Sequence, residues 1–273
     1  MDISVLGHGA YGRVYKAWSN KDQKNFAVKI VGNSKKSERE VKALARLQHH
    51  NIVKYFCCWE EDNKYEQESS ESSDSSTSSS TNFLYIQMEL CEGGTLRDWI
   101  EAKNSTPCPA RRQEARNIIE QITDGLAFIH SKKLVHRDLK PENIFFEEQK
   151  IKIKIGDFGL VKNIALNTDE SPPEGHESFG TPTYMSPEQK SGGLYGKKAD
   201  IFALGLIFFE LLWTLQTQME KYTIWTDLRD QMFPEHFNVQ FPPECKLIKM
   251  MLCKKTKKRP GAAGLLTEIK KLY

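Results

Sequence analysis

Apolar and polar positions change their rhythm along this chain, and the change divides it into two parts. From Val5 to Trp18 the run VLGHGAYGRVYKAW sets apolar, β-branched and aromatic residues on either side of a glycine turn, which predicts two strands. NFAVKIV predicts a third strand ending near Gly32. Ser37 to Gln48 then places Val41, Leu44, Ala45 and Leu47 at helical spacing. NIVKYFCCW and NFLYIQMEL return to strand patterns. After Gly93 and Gly94 the period is helical. A helix capped by Thr95 runs to Ala102, and a long one runs from Arg112 to Ser131 with Ile118, Ile119, Ile122, Leu126 and Ile129 on one face. Short strands flank Asn143 to Ile155, and further helices are predicted over Lys198 to Trp213, Thr226 to Gln231, Pro243 to Leu252 and Ala262 to Leu272. The expected class is α+β in two lobes. Residues 1–90 form a small β-rich lobe with one helix and an acidic, serine-rich insert at 62–81, and residues 91–273 form a larger helical lobe.

The insert changes the charge picture. Seven acids against Lys64 give Glu60 to Thr81 a charge of −6, so a chain of net +3 carries +9 elsewhere. Such a serine-rich acidic stretch buries too little apolar surface to offset its ordering entropy and is expected to be a disordered tether. A net +3 is too small to argue for nucleic acid as a direct partner. Cys57, Cys58, Cys91, Cys108, Cys245 and Cys253 make no metal-ligand spacing and are expected to be reduced thiols of a cytoplasmic protein. The first residues lack the basic and apolar regions of a secretory signal. The longest apolar run, Ile201 to Trp213, is short for a membrane span and contains Glu210, so it is expected to be a buried helix.

The candidate chemistry begins at Gly7-His8-Gly9-Ala10-Tyr11-Gly12-Arg13-Val14, a G-x-G-x-x-G-x-V run between strands. Glycines let backbone N–H groups approach phosphate oxygens. A dinucleotide-binding turn carries similar glycines but opens a helix, whereas Arg13 to Ala17 continues as strand. Lys29, in the apolar strand Ala27-Val28-Lys29, needs an anionic partner. Glu40 in the next helix supplies it, with Glu38 the second choice. His136-Arg137-Asp138-Leu139-Lys140-Pro141-Glu142-Asn143 matches H-R-D-L-x-x-x-N in full, and Asp157-Phe158-Gly159 follows Asn143 by fourteen residues. The order and spacing of these elements point to phosphoryl transfer. Asp138 orients the acceptor hydroxyl, Lys140 neutralises charge on the moving group, and Asn143 and Asp157 hold magnesium.

From Val5 to Tyr273 the chain resembles a eukaryotic protein kinase, and Lys140 within H-R-D-L-K-P-E-N resembles the serine/threonine class. The resemblance implies that ATP and magnesium bind between the lobes. It implies a nucleotide-binding set of Gly7, His8, Gly9, Gly12, Val14, Ala27, Lys29, Met88, Glu89, Cys91 and Phe145, with Met88 as gatekeeper and Glu89 to Cys91 as hinge. It also implies an activation segment over 157–188, a Glu188–Arg259 pair, and Asp200 bracing the backbone of His136 and Arg137. Two rivals are a kinase-like scaffold without activity, against which every catalytic position is intact, and a kinase with another serine/threonine substrate.

A narrower resemblance rests on Glu38 to Leu44, Asn51-Ile52-Val53 with Trp59, the acidic serine insert, Ile86 to Glu89, Ile129 to Lys133 and Thr226 to Asp230. These are similar to the kinases of the alpha subunit of translation initiation factor 2, in the interferon-inducible, RNA-dependent branch and its fish relative with Z-nucleic-acid-binding domains. The resemblance implies inhibition of translation initiation in antiviral defence. It implies docking of the factor through Thr226 and Asp227, and homodimers through the small lobes by way of Asp22 and Tyr55. Nucleic acid is expected as a partner only through further domains that this chain does not contain, and no membrane partner is expected. The chain opens only six residues before Gly7, so it is expected to be a piece of a longer protein. Phosphorylation is expected at Ser178, Thr181 and Thr183. The switch is either Ser178, phosphorylated within a dimer, or Glu177 standing in for phosphate on Arg137, with Ser171 next; Thr181 is expected to bond Asp138 and Lys140.

Overall fold

The computed structural model describes residues 3–9, 12–62, 82–105, 109–148, 152–163, 182–192 and 195–272. Residues 63–81 of the expected insert, the tip of the glycine loop at Ala10 and Tyr11, Cys108, and Ser171, Glu177, Ser178 and Thr181 lie outside the described residues. The chain separates into two compact units: residues 1–48 with 54–90, and residues 49–53 with 91–273.

The first unit is a five-stranded antiparallel sheet with one helix. Its strands are β1 (Ile3–Gly9), β2 (Gly12–Ser19), β3 (Lys24–Gly32), β4 (Tyr55–Glu61) and β5 (Phe83–Glu89), in the order β1-β2-β3-β5-β4. Gly12 sits at φ +135, and a Cβ there would lie 2.3 Å from the Ile30 carbonyl oxygen, so this turn demands glycine. The helix α1 (Lys35–Leu44) starts at a reciprocal cap. Ser34 accepts from the Ser37 N–H, and the Ser37 hydroxyl accepts from the Ser34 N–H. Its apolar side buries Ala43 and Leu44.

The second unit is helical. It contains α2 (Leu96–Ser105), α3 (Arg111–Ser131), α4 (Pro187–Lys190), α5 (Lys197–Leu212), α6 (Gln218–Arg229), α7 (Phe237–Gln240), α8 (Pro242–Met251) and α9 (Ala262–Lys270). Two short antiparallel pairs accompany them among the described residues: β6 (Leu134–Val135) with β9 (Lys162–Asn163), and the hairpin of β7 (Ile144–Phe146) with β8 (Ile153–Ile155). The expected face of α3 is buried as read, with Ile118, Ile119, Ile122, Leu126 and Ile129 at 0% exposure. α5 is apolar all round, so it can be stable only when enclosed, and it packs against α3 and α8.

Two expectations about elements change. The strand predicted from Asn51 starts at Tyr55, because the Asn51 and Val53 backbones bond instead to Ile155 in the second unit. The helix predicted from Thr226 begins two turns earlier, at Gln218, where Thr217 accepts the N–H of Glu220. Its inner face is fixed by long-range packing that local periodicity does not register.

Glu210, the one acid in the middle of α5, is 1% exposed. Arg97 donates to it at 2.7 Å and Lys221 at 2.6 Å, and the Tyr184 hydroxyl also donates to it. Burial alone pushes this carboxyl up, but the two cations outweigh it and hold the group below the usual range. Glu210→Gln leaves two cations facing a neutral amide in a buried setting. Denaturant unfolding should show a loss of about 3–5 kcal/mol; a loss under about 1 kcal/mol would show that the network carries little of the fold.

Candidate active site

In the first unit, strand register assembles half of the candidate residues. Gly7 stands opposite Val14, Val14 opposite Lys29, and Lys29 opposite Ile86, while Ala27 stands opposite Met88. Directly opposed residues, and residues two apart, share a face of a sheet. Val14, Ala27, Lys29 and Met88 therefore lie on one side. Lys29 Nζ donates to Glu40 Oε1 at 2.7 Å with both side chains buried. Glu38, the second choice, pairs with Lys42 at the surface instead. Glu89 closes the strand through its N–H to the Lys54 carbonyl at 2.8 Å and its carboxylate to the Lys54 N–H at 3.1 Å. His8 and Gly9 belong to β1, and their side-chain surroundings lie outside the described residues.

In the second unit the loop after β6 carries the other half. Asp200 enters α5 almost fully buried and accepts the N–H groups of His136 at 3.0 Å and Arg137 at 2.9 Å. It also pairs with His130 Nε2 at 2.8 Å. Burial by itself raises this carboxyl; the bonds from His130 and Arg137 and the charges of His130 and His136 more than cancel that and depress it. Arg137 is thereby held at φ 74, a region that costs a non-glycine residue of order 1–3 kcal/mol. Gln189 adds a bond to the Arg137 carbonyl oxygen at 3.1 Å.

From this pinned turn three candidate side chains converge. Asp138 is buried, with Lys140 Nζ 3.0 Å from its Oδ2. Asn143 Nδ2 donates to the Asp138 carbonyl at 2.9 Å and to its carboxylate at 3.2 Å. Both donors of interest are thus spent on Asp138, and the Asn143 amide oxygen takes no bond among the described residues. The Gly156 N–H bonds the Asn143 carbonyl oxygen at 2.9 Å, and the Gly156 carbonyl oxygen accepts from His136 Nε2 at 2.9 Å. A Cβ on Gly156 would meet the Phe145 ring at 2.7 Å, so glycine is needed here too. Asp157 follows at φ 53, and Phe158 is buried edge-on to His136 at 5.1 Å. Cys91 and Phe145 also belong to this unit, both partly buried. The Glu188–Arg259 pair is present, with the guanidinium forked on the carboxylate.

Sequence reasoning missed several participants. The Tyr195 hydroxyl accepts from Arg137, and the Arg137 guanidinium lies over the Tyr195 ring at 4.9 Å. His130 stood in a quoted motif without a role. The signal for Arg97, Tyr184 and Lys221 is Glu210 itself, an acid in the apolar run Ile201 to Trp213 that requires cations from elsewhere. The Arg229 guanidinium bonds the carbonyl oxygens of Thr183 and Met185, tying α6 to the expected activation segment. Among the described residues no helix is long and apolar enough to cross a membrane.

Residues 1–269 match the family model described as protein kinase domain. The chain is 45% identical to the interferon-induced, double-stranded RNA-activated protein kinase of Rattus norvegicus, over 97% of this chain and 50% of that protein. The Mus musculus protein of the same name is 43% identical over 97% of this chain and 49% of its own length. Eukaryotic translation initiation factor 2-alpha kinase 3 of Bos taurus is 43% identical over 67% of this chain and 17% of that protein. The chain thus spans about half the length of the first two relatives.

The depressed Asp200 carboxyl gives a signed prediction. A group held below its unfolded value contributes stability that is complete above that value and is lost as pH falls through the folded one. The midpoint of thermal unfolding should be flat from pH 7 to about pH 5 and fall below about pH 4. In Asp200→Asn the acid decline should be shallower and the neutral-pH midpoint lower. An unchanged acid profile in this variant would contradict the assignment.

Proposed function

This chain belongs to the protein kinase domain family, and we propose that it transfers the γ-phosphoryl group of ATP to serine or threonine hydroxyls of the alpha subunit of translation initiation factor 2. The observation that carries the chemistry is the loop on which Asp138, Lys140 and Asn143 are bonded to one another around a buried Asp200. The substrate reading is supported by the relatives, among them a factor 2-alpha kinase by name. By the same reading the protein acts in the cytoplasm.

The residues fit magnesium and nucleotide. Asn143 offers a hard amide oxygen and Asp157 a carboxylate, the donor types that suit magnesium. When bound, magnesium draws charge from the β- and γ-phosphate oxygens as the phosphoryl group leaves. Asp138 holds the acceptor hydroxyl and takes its proton. Lys140, beside Asp138, offsets charge on the transferred group. Lys29, oriented by Glu40, binds the α- and β-phosphates, with the backbone around Gly7, His8, Gly9 and Gly12 covering them. Val14, Ala27, Met88, Glu89, Cys91 and Phe145 complete the adenine site in this reading.

For docking, α6 offers an outer face. Met219 and Tyr222 are each 74% exposed, and Thr223 and Thr226 are exposed beside them. Thr226 is exposed and bonds the Tyr222 carbonyl, whereas Asp227 is half-buried and its carbonyl accepts the N–H groups of Asp230 and Met232. The docking proposal therefore rests on Thr226 more than on Asp227. Dimers through Asp22 and Tyr55 remain part of the reading. Asp22 is exposed in the β2–β3 turn, accepting from the Ser19 hydroxyl at 2.7 Å, and Tyr55 opens β4 half-buried. Ser178 remains the proposed switch, with Thr183 an added site.

Two substitutions test this. Asp138→Asn should lower single-turnover phosphoryl transfer by about 10²–10⁴-fold with an unchanged unfolding midpoint; retention within about tenfold would contradict the role of Asp138. Thr226→Ala should slow phosphorylation of the factor's alpha subunit and spare a short serine peptide. Equal loss on both substrates would remove the docking reading and leave the kinase reading standing.

A further inference from the structure

Two imidazoles and a carboxylate converge where residues 49–53 lie against α3, away from the catalytic loop. His49 Nε2 and His50 Nε2 are 3.5 and 3.3 Å from the same atom, Asp124 Oδ2. All three ligand atoms lie within 4.8 Å of one another. Ligand atoms placed tetrahedrally about 2.0–2.1 Å from a zinc ion are separated by about 3.3–3.4 Å. The His50 edge, 3.3 Å, matches that figure, and the His49 edge, 3.5 Å, is slightly longer.

The cluster is a built feature. Gly125, next to Asp124, lets the segment approach the helix: a Cβ there would meet the Asn51 carbonyl oxygen and Ile155 Cδ1, each at 3.0 Å. Asn51 Nδ2 then donates to Gln121 Oε1 at 3.1 Å and to the Ile153 carbonyl at 3.0 Å. The backbones of Asn51 and Val53 each bond Ile155 at 2.9 Å. The His49 ring is stacked between His50 at 4.2 Å and Phe128 at 5.0 Å. One histidine is therefore immobilised, with its side chain 14% exposed, while His50 at 65% keeps the cluster open to water.

We propose that His49, His50 and Asp124 bind a divalent ion of the zinc class, with water completing the coordination. Two nitrogens and one oxygen suit zinc, cobalt, nickel or copper, whereas magnesium and calcium prefer oxygen alone. A neutral imidazole is the ligand form. Binding has a cost that can be named. The Asn51 N–H donates to His49 Nδ1 at 3.2 Å, so the metal-free ring carries its proton on Nε2. The ion takes the Nε2 lone pair, the proton moves to Nδ1, and the Asn51 bond is given up.

The test is titration of the full chain with Co2+ in excess Mg2+, read by visible d–d absorption, with Zn2+ as competitor. One equivalent of Co2+ should bind, be displaced by Zn2+, and show no near-ultraviolet thiolate band. Zn2+ should raise the unfolding midpoint by mass action. His50→Ala and Asp124→Asn alter half-exposed side chains, so both should keep the metal-free midpoint while weakening Co2+ at least about tenfold. Absence of the absorption, a thiolate band, or wild-type affinity in both variants would overturn the proposal and leave the three residues as a hydrogen-bonded cluster without an ion.

Discussion

A single buried carboxylate organises the second unit. Asp200 stands in the first turn of α5 with 1% exposure, where an unpaired charge would be prohibitive. It is tolerated because three donors converge on it: the N–H groups of His136 and Arg137, and the His130 ring. The same bonds force Arg137 into a positive φ, and that turn sends Asp138 toward Lys140 and Asn143. The desolvation of Asp200 and the geometry of the catalytic loop are therefore one problem with one solution.

The same logic repeats at Glu210, Glu188 and Glu244. Each sits on a helix and is satisfied by arginine or lysine from a distant part of the chain: Arg97 and Lys221, Arg259, and Arg112 with Arg116. Breaking one partner leaves a buried charge, so these pairs specify how helices meet more than they add net stability. α6 depends on this arrangement. Its inner face meets Tyr184 through Lys221 and Trp225 and meets the Thr183 and Met185 carbonyls through Arg229, while Met219 and Tyr222 on its outer face are exposed.

Much of this was legible in the chain alone. Helical period marked α3 and α5 to within a residue or two, and glycine and strand patterns marked β1 to β3. The choice of Glu40 over Glu38, the Glu188–Arg259 pair and the Asp200 brace appear where the resemblance implied them. What escaped was set at long range. α6 starts at Gln218, capped by the adjacent Thr217, but its inner face is set by Trp225 packing on Tyr184, which a weak local period does not register. β4 starts late because Asn51 and Val53 are claimed by Ile155. Tyr195 and His130 carry no motif of their own; their roles exist only once Arg137 and Asp200 are placed.

The buried Asp200 carboxylate sets the geometry of the loop that carries Asp138. The most direct measurement is the single-turnover rate of Asp200→Asn, taken well below its unfolding midpoint with saturating ATP and magnesium. An amide accepts more weakly from the two backbone donors and offers no charge to His130, so the loop loses its strained turn. A fall of about 10²-fold or more in a folded protein is predicted, in keeping with the sensitivity of transfer to small displacements. A rate within about threefold of wild type would show that the loop holds its geometry without Asp200.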